Sequence, residues 1–247
     1  MNGKKKVAGG YGSGCQVITF IEKERAMETD IIKTSEGELV ISFLGHASLM
    51  LSWNDKIIHV DPVSCEADYR MLPGADMILI THDHDDHLDV NAVHCIKTAA
   101  AKVVGTPGVG KYLHGIVVMK NGETRTVDGL KIEAVPAYNI KHMRAPGMPF
   151  HPRGIGNGYV VTFGDKRVYL AGDTENIPEM KELKNIDIAF LPMNLPYTMT
   201  PEMVADAARA FRPKILYPYH QGETDTAKLA DLLKDEKGIE VRIRKMK

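Results

Sequence analysis

The sequence predicts an α/β chain of the α+β kind, with two packed β-sheets and helices on the outside. Three observations carry that expectation. The chain has 247 residues, 44% of them apolar, enough to bury a large core within one domain. Short apolar or alternating segments follow one another in runs, bounded by Gly, Asn and Asp, as strands do. Helical periodicity is confined to a few segments between those runs, so the pattern is not the regular strand–helix alternation of a doubly wound parallel sheet.

Residues 1–34 are rich in Lys, Gly and Glu without clear periodicity and read as a flexible lead-in, or as sequence upstream of a start at Met27. The domain proper is expected over 35–247. ELVISFLG, ASLMLSW and KIIHVDP form three consecutive strands from Glu38 onward, split by Gly45 and by the turn pair Asn54-Asp55. ADMILIT, from Ala75, is a fully apolar strand, and Ala92 to Ala101 reads as a helix. KVVGTP, GIVVMK, ETRTVDG and LKIEAVPA are further short strands. NGYVVTF and KRVYLAGD form a hairpin closed by Gly164-Asp165, a two-residue turn suited to positive φ. IDIAFLP is a buried strand. Thr200 caps the helix TPEMVADAARAF, with Pro201 at its first position and Glu202 in its first turn. KILYPYH, TAKLADLLKD and EVRIRKM complete the chain as strand, helix and strand.

Composition narrows the function. The 31 basic and 32 acidic residues nearly cancel, which disfavours a non-specific nucleic-acid or membrane-surface binder. No window reaches the roughly 18 apolar residues of a membrane span, and the basic start lacks the apolar stretch of a signal peptide. Cys15, Cys65 and Cys95 are few, scattered and odd in number, so the expected setting is reducing and cytoplasmic. Neither GxSxG nor a P-loop occurs.

The segment HDHDDH, His82 to His87, concentrates imidazoles and carboxylates directly after the strand ADMILIT. Desolvating such groups costs free energy unless something compensates. His82 and His84 lie two apart and project to one side of an extended segment. Asp86 and His87 follow as the chain turns. Imidazole with carboxylate suits Zn2+, with Mn2+ or Fe2+ as alternatives. Asp173 in YLAGDTE and His220 in LYPYHQG stand at other strand ends, where functional groups tend to be placed.

His82-x-His84-x-Asp86-His87, then Gly172-Asp173-Thr174, then His220, resembles the metallo-β-lactamase superfamily from about Val40 to His220. FLGHASLML through VDP, Phe43 to Pro62, looks like the branch with ascorbate-phosphate lactonases and N-acyl-phosphatidylethanolamine phospholipase D. VPAYN, FHPRG and NLPYTMTPEM look closer still to prokaryotic hydrolases without an assigned substrate. The resemblance implies a four-layer αββα sandwich of two mixed sheets with outer helices. It also implies a metal-dependent hydrolase whose metal-activated hydroxide cleaves an ester-type bond, lactone or phosphodiester, in a small substrate.

Residue by residue, the resemblance gives His82 and His84 to a first metal. It gives Asp86, His87 and His220 to a second, and makes Asp173 the bridge. Asp86 and Asp173 are then the catalytic carboxylates, with Asp86 or a metal-bound water passing a proton to the leaving group. The family's third histidine at the first metal is replaced here by Asn139, beside Tyr138; either of these, or His142 or His151 nearby, stands in for it, or the first metal is bound loosely or not at all. That departure motivates an alternative, a non-catalytic metal-binding or ligand-sensing protein. Asp61 either orients a ligand histidine or ends a strand before Pro62. His46, His151, Asn194 and Tyr197 are candidate pocket residues, and each also has an ordinary structural reading. Lys141, Arg144 and Arg153, in a Pro- and Gly-containing segment that forms a lid over 140–155, favour an anionic substrate, although each alone reads as an exposed charge. The sequence leaves the oligomeric state open.

Overall fold

The structure is a computed structural model and describes residues 27–247. The expected lead-in and Cys15 therefore fall largely outside the described residues. One part of that expectation is corrected. Glu28–Thr34 forms a strand, β1, paired residue for residue with β2 from Glu28↔Phe43 to Thr34↔Gly37. Its mostly exposed side chains gave no hydrophobic alternation, so the pairing with β2, and not a sequence pattern, reveals it.

The first sheet runs β1, β2 (Gly37–Gly45), β3 (Ser48–Trp53), β4 (Lys56–Val60), β5 (Ala75–Leu79), β6 (Lys97–Gly105) and β7 (Val117–Val118), in that spatial order. The first four pair antiparallel and the rest parallel. The second sheet is built from β8 (Thr124–Val127), β9 (Leu130–Ala137), β12 (Gly156–Phe163), β13 (Lys166–Leu170), β14 (Ile188–Pro192), β15 (Ile215–Tyr219) and β16 (Glu240–Val241). It too passes from antiparallel to parallel pairing, with the change at β13. Two half-molecules thus repeat one strand plan. Between β9 and β12 a small hairpin, β10 (Met143–Ala145) with β11 (Met148–Pro149), stands apart from both sheets.

Three apolar clusters define four layers. Leu39, Ile41, Leu51 and Ile58 of the first sheet meet Tyr159, Phe163, Phe190 and Tyr217 of the second in the central core. α1 (Val90–Ile96) covers the outer face of the first sheet through Ala92, Val93 and Ile96. α2 (Pro178–Lys181), α3 (Pro201–Phe211) and α4 (Ala227–Leu233) lie on the second, with Val204, Ala208 and Phe211 of α3 against Tyr169 and Leu216. The αββα sandwich expected from the sequence is the observed architecture. A fully buried aliphatic or aromatic side chain contributes about 1.5–3 kcal/mol over exposure, so these strands form a rigid base for the loops at their ends.

Two elements differ from expectation. The helix read over Ala92 to Ala101 ends at Ile96, and Lys97–Gly105 is β6. β6 pairs parallel with β5 through Ile78↔Val103 and Leu79↔Val104, so buried valines and an open sheet edge override the helical preference of the alanine run. The last strand shortens to Glu240–Val241. The hairpin at Gly164-Asp165 forms as expected, with Phe163 opposite Lys166 and Gly164 at φ 56°.

Candidate metal centre

β2, β4, β5, β9, β13 and β15 all end on one edge of the sandwich, and the segments leaving them carry His46, Asp61, the 82–87 loop, Asn139, Asp173 and His220. Backbone bonds tie these ends together across the sheets. The His220 amide donates to His46 O at 2.9 Å, the Asn157 amide to Thr81 O at 3.0 Å, and the Asp61 amide to Leu79 O at 2.9 Å. His46, Asp61 and His220 adopt φ of 48°, 41° and 46°. Strained backbone of this kind persists only where its surroundings fix it. Gly172 is required as glycine: φ is +63°, and a Cβ there would lie 2.8 Å from Asn157 O.

The six residues expected to act together do converge. Asp173 is the centre. Its Oδ1 lies 3.2 Å from His87 Nε2, and its Oδ2 lies 3.2 Å from His220 Nε2 and 3.1 Å from His151 Nε2. On one side His82, His84 and His151 bring ligand atoms within 4.8 Å of one another; on the other, Asp86, His87 and His220 do so together with His46. His82, His87 and Asp173 form a third such group that joins the two.

The donor chemistry fits a cation. His82 Nε2, His87 Nε2, His220 Nε2 and Asp173 Oδ1 are buried, and none makes a hydrogen bond of acceptable geometry, although several lie close to one another. Such orphaned buried atoms are costly unless something occupies the space between them. Charge gives the same reading. Burial opposes a charge on His220, but Asp173 and Asp86 outweigh it and raise its pKa to about 9. Burial likewise opposes charge on His87, and Asp173 and Asp61 drive it well above the usual range. The side of the cluster with His87 and His220 thus favours positive charge, which protons or metal ions can supply in competition; burial instead lowers the pKa of His82 and His84, leaving them neutral imidazoles suited to a cation. Two positions thus emerge: His82, His84 and Asp173 with His151 beside them, and Asp86, His87, His220 and Asp173.

Around these sit residues that hold them. Asp61, fully buried, accepts from His87 Nδ1 at 2.8 Å, from Thr81 Oγ1 at 2.7 Å and from the Thr81 amide at 2.8 Å. Of its two sequence readings, the one that orients a ligand histidine matches this geometry. Asn139 accepts at Oδ1 from the His151 amide (2.7 Å) and from His151 Nδ1 (2.8 Å). Its Nδ2 donates to Glu175 Oε1 and to Tyr197 O.

Tyr138 is corrected. It packs in the outer core beside β9, donates its hydroxyl to Glu179 at 3.0 Å and lies under Arg153, facing away from the histidines. Arg153 is spent on Glu179 at 2.6 Å. Glu175 was missed. It is buried and accepts from the amides of Ile140, Lys141 and His142 at 2.9, 2.8 and 2.7 Å, and from His142 Nδ1. Burial alone would raise its pKa; these donors and the Asn139 amide hold it below the usual carboxylate range. Its place two residues after Asp173 was the only signal in the sequence.

A cavity of about 350 Å³ opens over the cluster, lined by His46, His84, Asp86, His151, Asn194 and Tyr197 together with Arg144 and Phe150. The four candidate pocket residues are all in it. Arg144, on the β10–β11 hairpin, stands 5.6 Å over the Phe150 ring, whose edge meets Tyr197. Among the described residues no carboxylate pairs with Arg144 within 4.0 Å.

Comparison with known proteins gives a consistent answer. Residues 40–220 match the family described as "Beta-lactamase superfamily domain". A UPF0173 metal-dependent hydrolase from Methanopyrus kandleri is 32% identical over 194 residues, covering 74% of this chain and 84% of the relative. A crystal structure from Parabacteroides distasonis, described as a candidate metal-dependent hydrolase, superposes with a TM-score of 0.86 at 52% identity, covering 90% of this chain and all of the other. A metallo hydrolase from Ignicoccus hospitalis shares the fold, with a TM-score of 0.69 at 23% identity over 84% of this chain and 95% of its own.

Proposed function

This chain belongs to the metallo-β-lactamase superfamily and, within it, to the UPF0173 metal-dependent hydrolases, and from that premise we propose that it hydrolyses an ester-type bond, lactone or phosphodiester, in a small anionic substrate. The observation that carries the reading is the convergence of four histidines and two aspartates in one cluster beneath the cavity, with buried imidazole and carboxylate atoms left without hydrogen-bond partners. Two divalent cations held there, zinc first and manganese or iron as alternatives, would acidify a water near neutral pH and stabilise negative charge developing on the substrate.

The chain's own residues do the rest. Asp173 holds the two positions in register, with one carboxylate oxygen toward His87 and the other toward His151 and His220. Asp86 is the carboxylate open to the cavity, its side chain 52% exposed and 3.3 Å from His46 Nε2. The proton of the attacking water would pass to the leaving oxygen through this carboxylate or a second water. His46, its ring 3.8 Å from that of His220, fixes Asp86 and the rim. Phe150 and Tyr197 form one aromatic wall of the cavity. Arg144, which pairs with no carboxylate among the described residues, draws an anionic group into a cavity small enough for a metabolite.

The non-catalytic alternative rested on Asn139, and His151 beside His82 and His84 supports the catalytic reading over it. Among the described residues no helix is long and apolar enough to cross a membrane. Free Cys65 and Cys95 support a reducing compartment such as the cytoplasm.

Chelation followed by Zn2+ return, across a panel of lactones and phosphodiesters, tests the reading. Hydrolysis is expected to vanish on chelation, return with zinc, and be absent in Asp173→Ala. Arg144→Gln should raise KM for anionic substrates about tenfold or more, with kcat little changed, since one charge-assisted contact contributes about 1.5–3 kcal/mol. A protein that binds zinc yet cleaves nothing in the panel would point to the ligand-sensing alternative.

A further inference from the structure

The first position has a feature no strand supplies. His82 and His84 come from the rigid end of β5, but the third imidazole of that group, His151, comes from the segment between β9 and β12 that contains the β10–β11 hairpin. That strap leaves the second sheet after Ala137 and returns at Gly156. It also brings Arg144 and Phe150 to the cavity.

Resting on the metal centre above, we propose that His151 is the third protein ligand of the first cation position, and that Asn139 and Glu175 are positioning residues that hold it there, so that cation binding and order of the strap are linked. His151 Nε2 lies 3.1 Å from Asp173 Oδ2, on the side of His82 and His84, with ring centroids 5.4 and 5.0 Å from theirs. Asn139 Oδ1 takes the proton of His151 Nδ1 at 2.8 Å. That bond fixes the tautomer that leaves Nε2 bare as a ligand, the task commonly given to a carbonyl or carboxylate behind a metal-bound histidine.

Asn139 is in turn fixed. Its Oδ1 also receives the His151 amide, its own amide donates to His151 O at 2.9 Å, and its Nδ2 is divided between Glu175 Oε1 and Tyr197 O. With both ends of the carboxamide engaged, the side chain cannot flip and offer nitrogen to His151. Glu175 then gathers three successive amides, Ile140 to His142, at the root of the strap. The chain Glu175–Asn139–His151 therefore runs from the Asp173 loop through the strap to the first position. Where the family places an imidazole directly on the strand end, this chain places a carboxamide that orients an imidazole twelve residues on. The same strap carries Arg144, so a first position filled by a cation favours the closed strap and its anion contact. Linkage makes the effect reciprocal.

Chelator-competition titration with Zn2+ alone, on the full chain, tests this together with amide hydrogen exchange of residues 140–155. The wild type is expected to bind two zinc ions. Asn139→Ala and Glu175→Gln should retain one and lose about 10- to 100-fold affinity for the other. His82→Ala should show the same single-ion pattern, which identifies the weakened position. Zinc should slow exchange across 140–155 in the wild type and leave it unchanged in His151→Ala. The wild-type exchange comparison needs no variant, so a variant that fails to fold does not remove the test. Wild-type affinity at both positions in Asn139→Ala and Glu175→Gln, or exchange in 140–155 indifferent to zinc, would overturn the proposal. A wild type that takes up no zinc would instead sink the metal centre beneath it.

Discussion

Asp61 shows how much one buried carboxylate decides. Both oxygens are committed, one to the Thr81 amide and the other to Thr81 Oγ1 and His87 Nδ1. The first two bonds shape the start of the 82–87 loop, and the third holds the His87 ring so that Nε2 faces Asp173. Asp61→Asn keeps the volume but exchanges one acceptor for a donor, so it must lose either the loop bond or the imidazole bond. Zinc affinity at the second position is expected to fall about 10- to 100-fold, measured by chelator competition; an unchanged affinity would mean that His87 is held by packing alone. The proposed ligands were legible because HDHDDH compresses four of them into one loop, and local spacing is visible in a sequence. Asp173 and His220 were legible as strand-end residues once that loop was seen. His151 was legible only as one of several stand-ins for the first position and as a candidate pocket residue, and Glu175 was not legible, since nothing local marks a histidine in FHPRG or a glutamate after GDT as belonging to the same side-chain chain. Asn139 was visible only as a departure, and its use appears only when the fold brings His151 back to it.

Elements were legible where side chains alternate or cap, and obscure where a neighbour specifies them. α3 is the clear case. Thr200 Oγ1 accepts from the Met203 amide at 3.2 Å, Pro201 opens the helix, and Val204, Ala207, Ala208 and Phe211 are buried against the second sheet. Replacing Thr200 by Ala leaves an orphan amide at the N-terminus and is expected to cost about 1 kcal/mol, read as a shift of the urea midpoint at unchanged slope. No shift would mean that packing of the apolar face alone fixes the helix. β6 and β1 are the opposite case. The alanines of β6 favour helix as an isolated peptide, and only the edge of β5 makes them a strand. β1 exposes most of its side chains, so no hydrophobic pattern announces it, and its pairing with β2 together with contacts from Ile32 and Asp30 holds it. The strap had been expected as a lid over 140–155. Its loop composition was readable, whereas the Glu175 anchor that gives it a shape was not.

At the scale of the molecule, the two sheets need a fastening besides the central core, because the cluster lies at one edge where both sheets must stay in register. β1 of the first sheet supplies one. Asp30 accepts from Arg244 Nη2 at 2.7 and 2.8 Å and from Arg242 Nη1 at 3.1 Å, and Tyr217 of β15 donates its hydroxyl to the same carboxylate. Arg244 also lies over the Phe43 and Tyr217 rings, so β1, β2, β15 and the chain's last residues meet at one carboxylate. Burial would raise the Asp30 pKa, but Tyr217, Arg244 and Arg242 outweigh it and lower it from the ordinary value. The sign follows from that direction. A carboxyl whose folded pKa lies below its unfolded value of about 3.9 adds stability above that value. The contribution is lost as pH falls through the lower folded one. Asp30→Asn should therefore cost about 1.5–3 kcal/mol near pH 7, the usual range for hydrogen bonds to a charged group, and the gap to the wild type should close progressively below about pH 4. Urea unfolding of both proteins from pH 7 down to pH 3 measures it. A gap that persists unchanged at pH 3 would show that packing around Arg244, and not the charge on Asp30, fastens the first sheet to the second. A gap absent at pH 7 would show that the central core alone keeps the two halves of the metal centre in register.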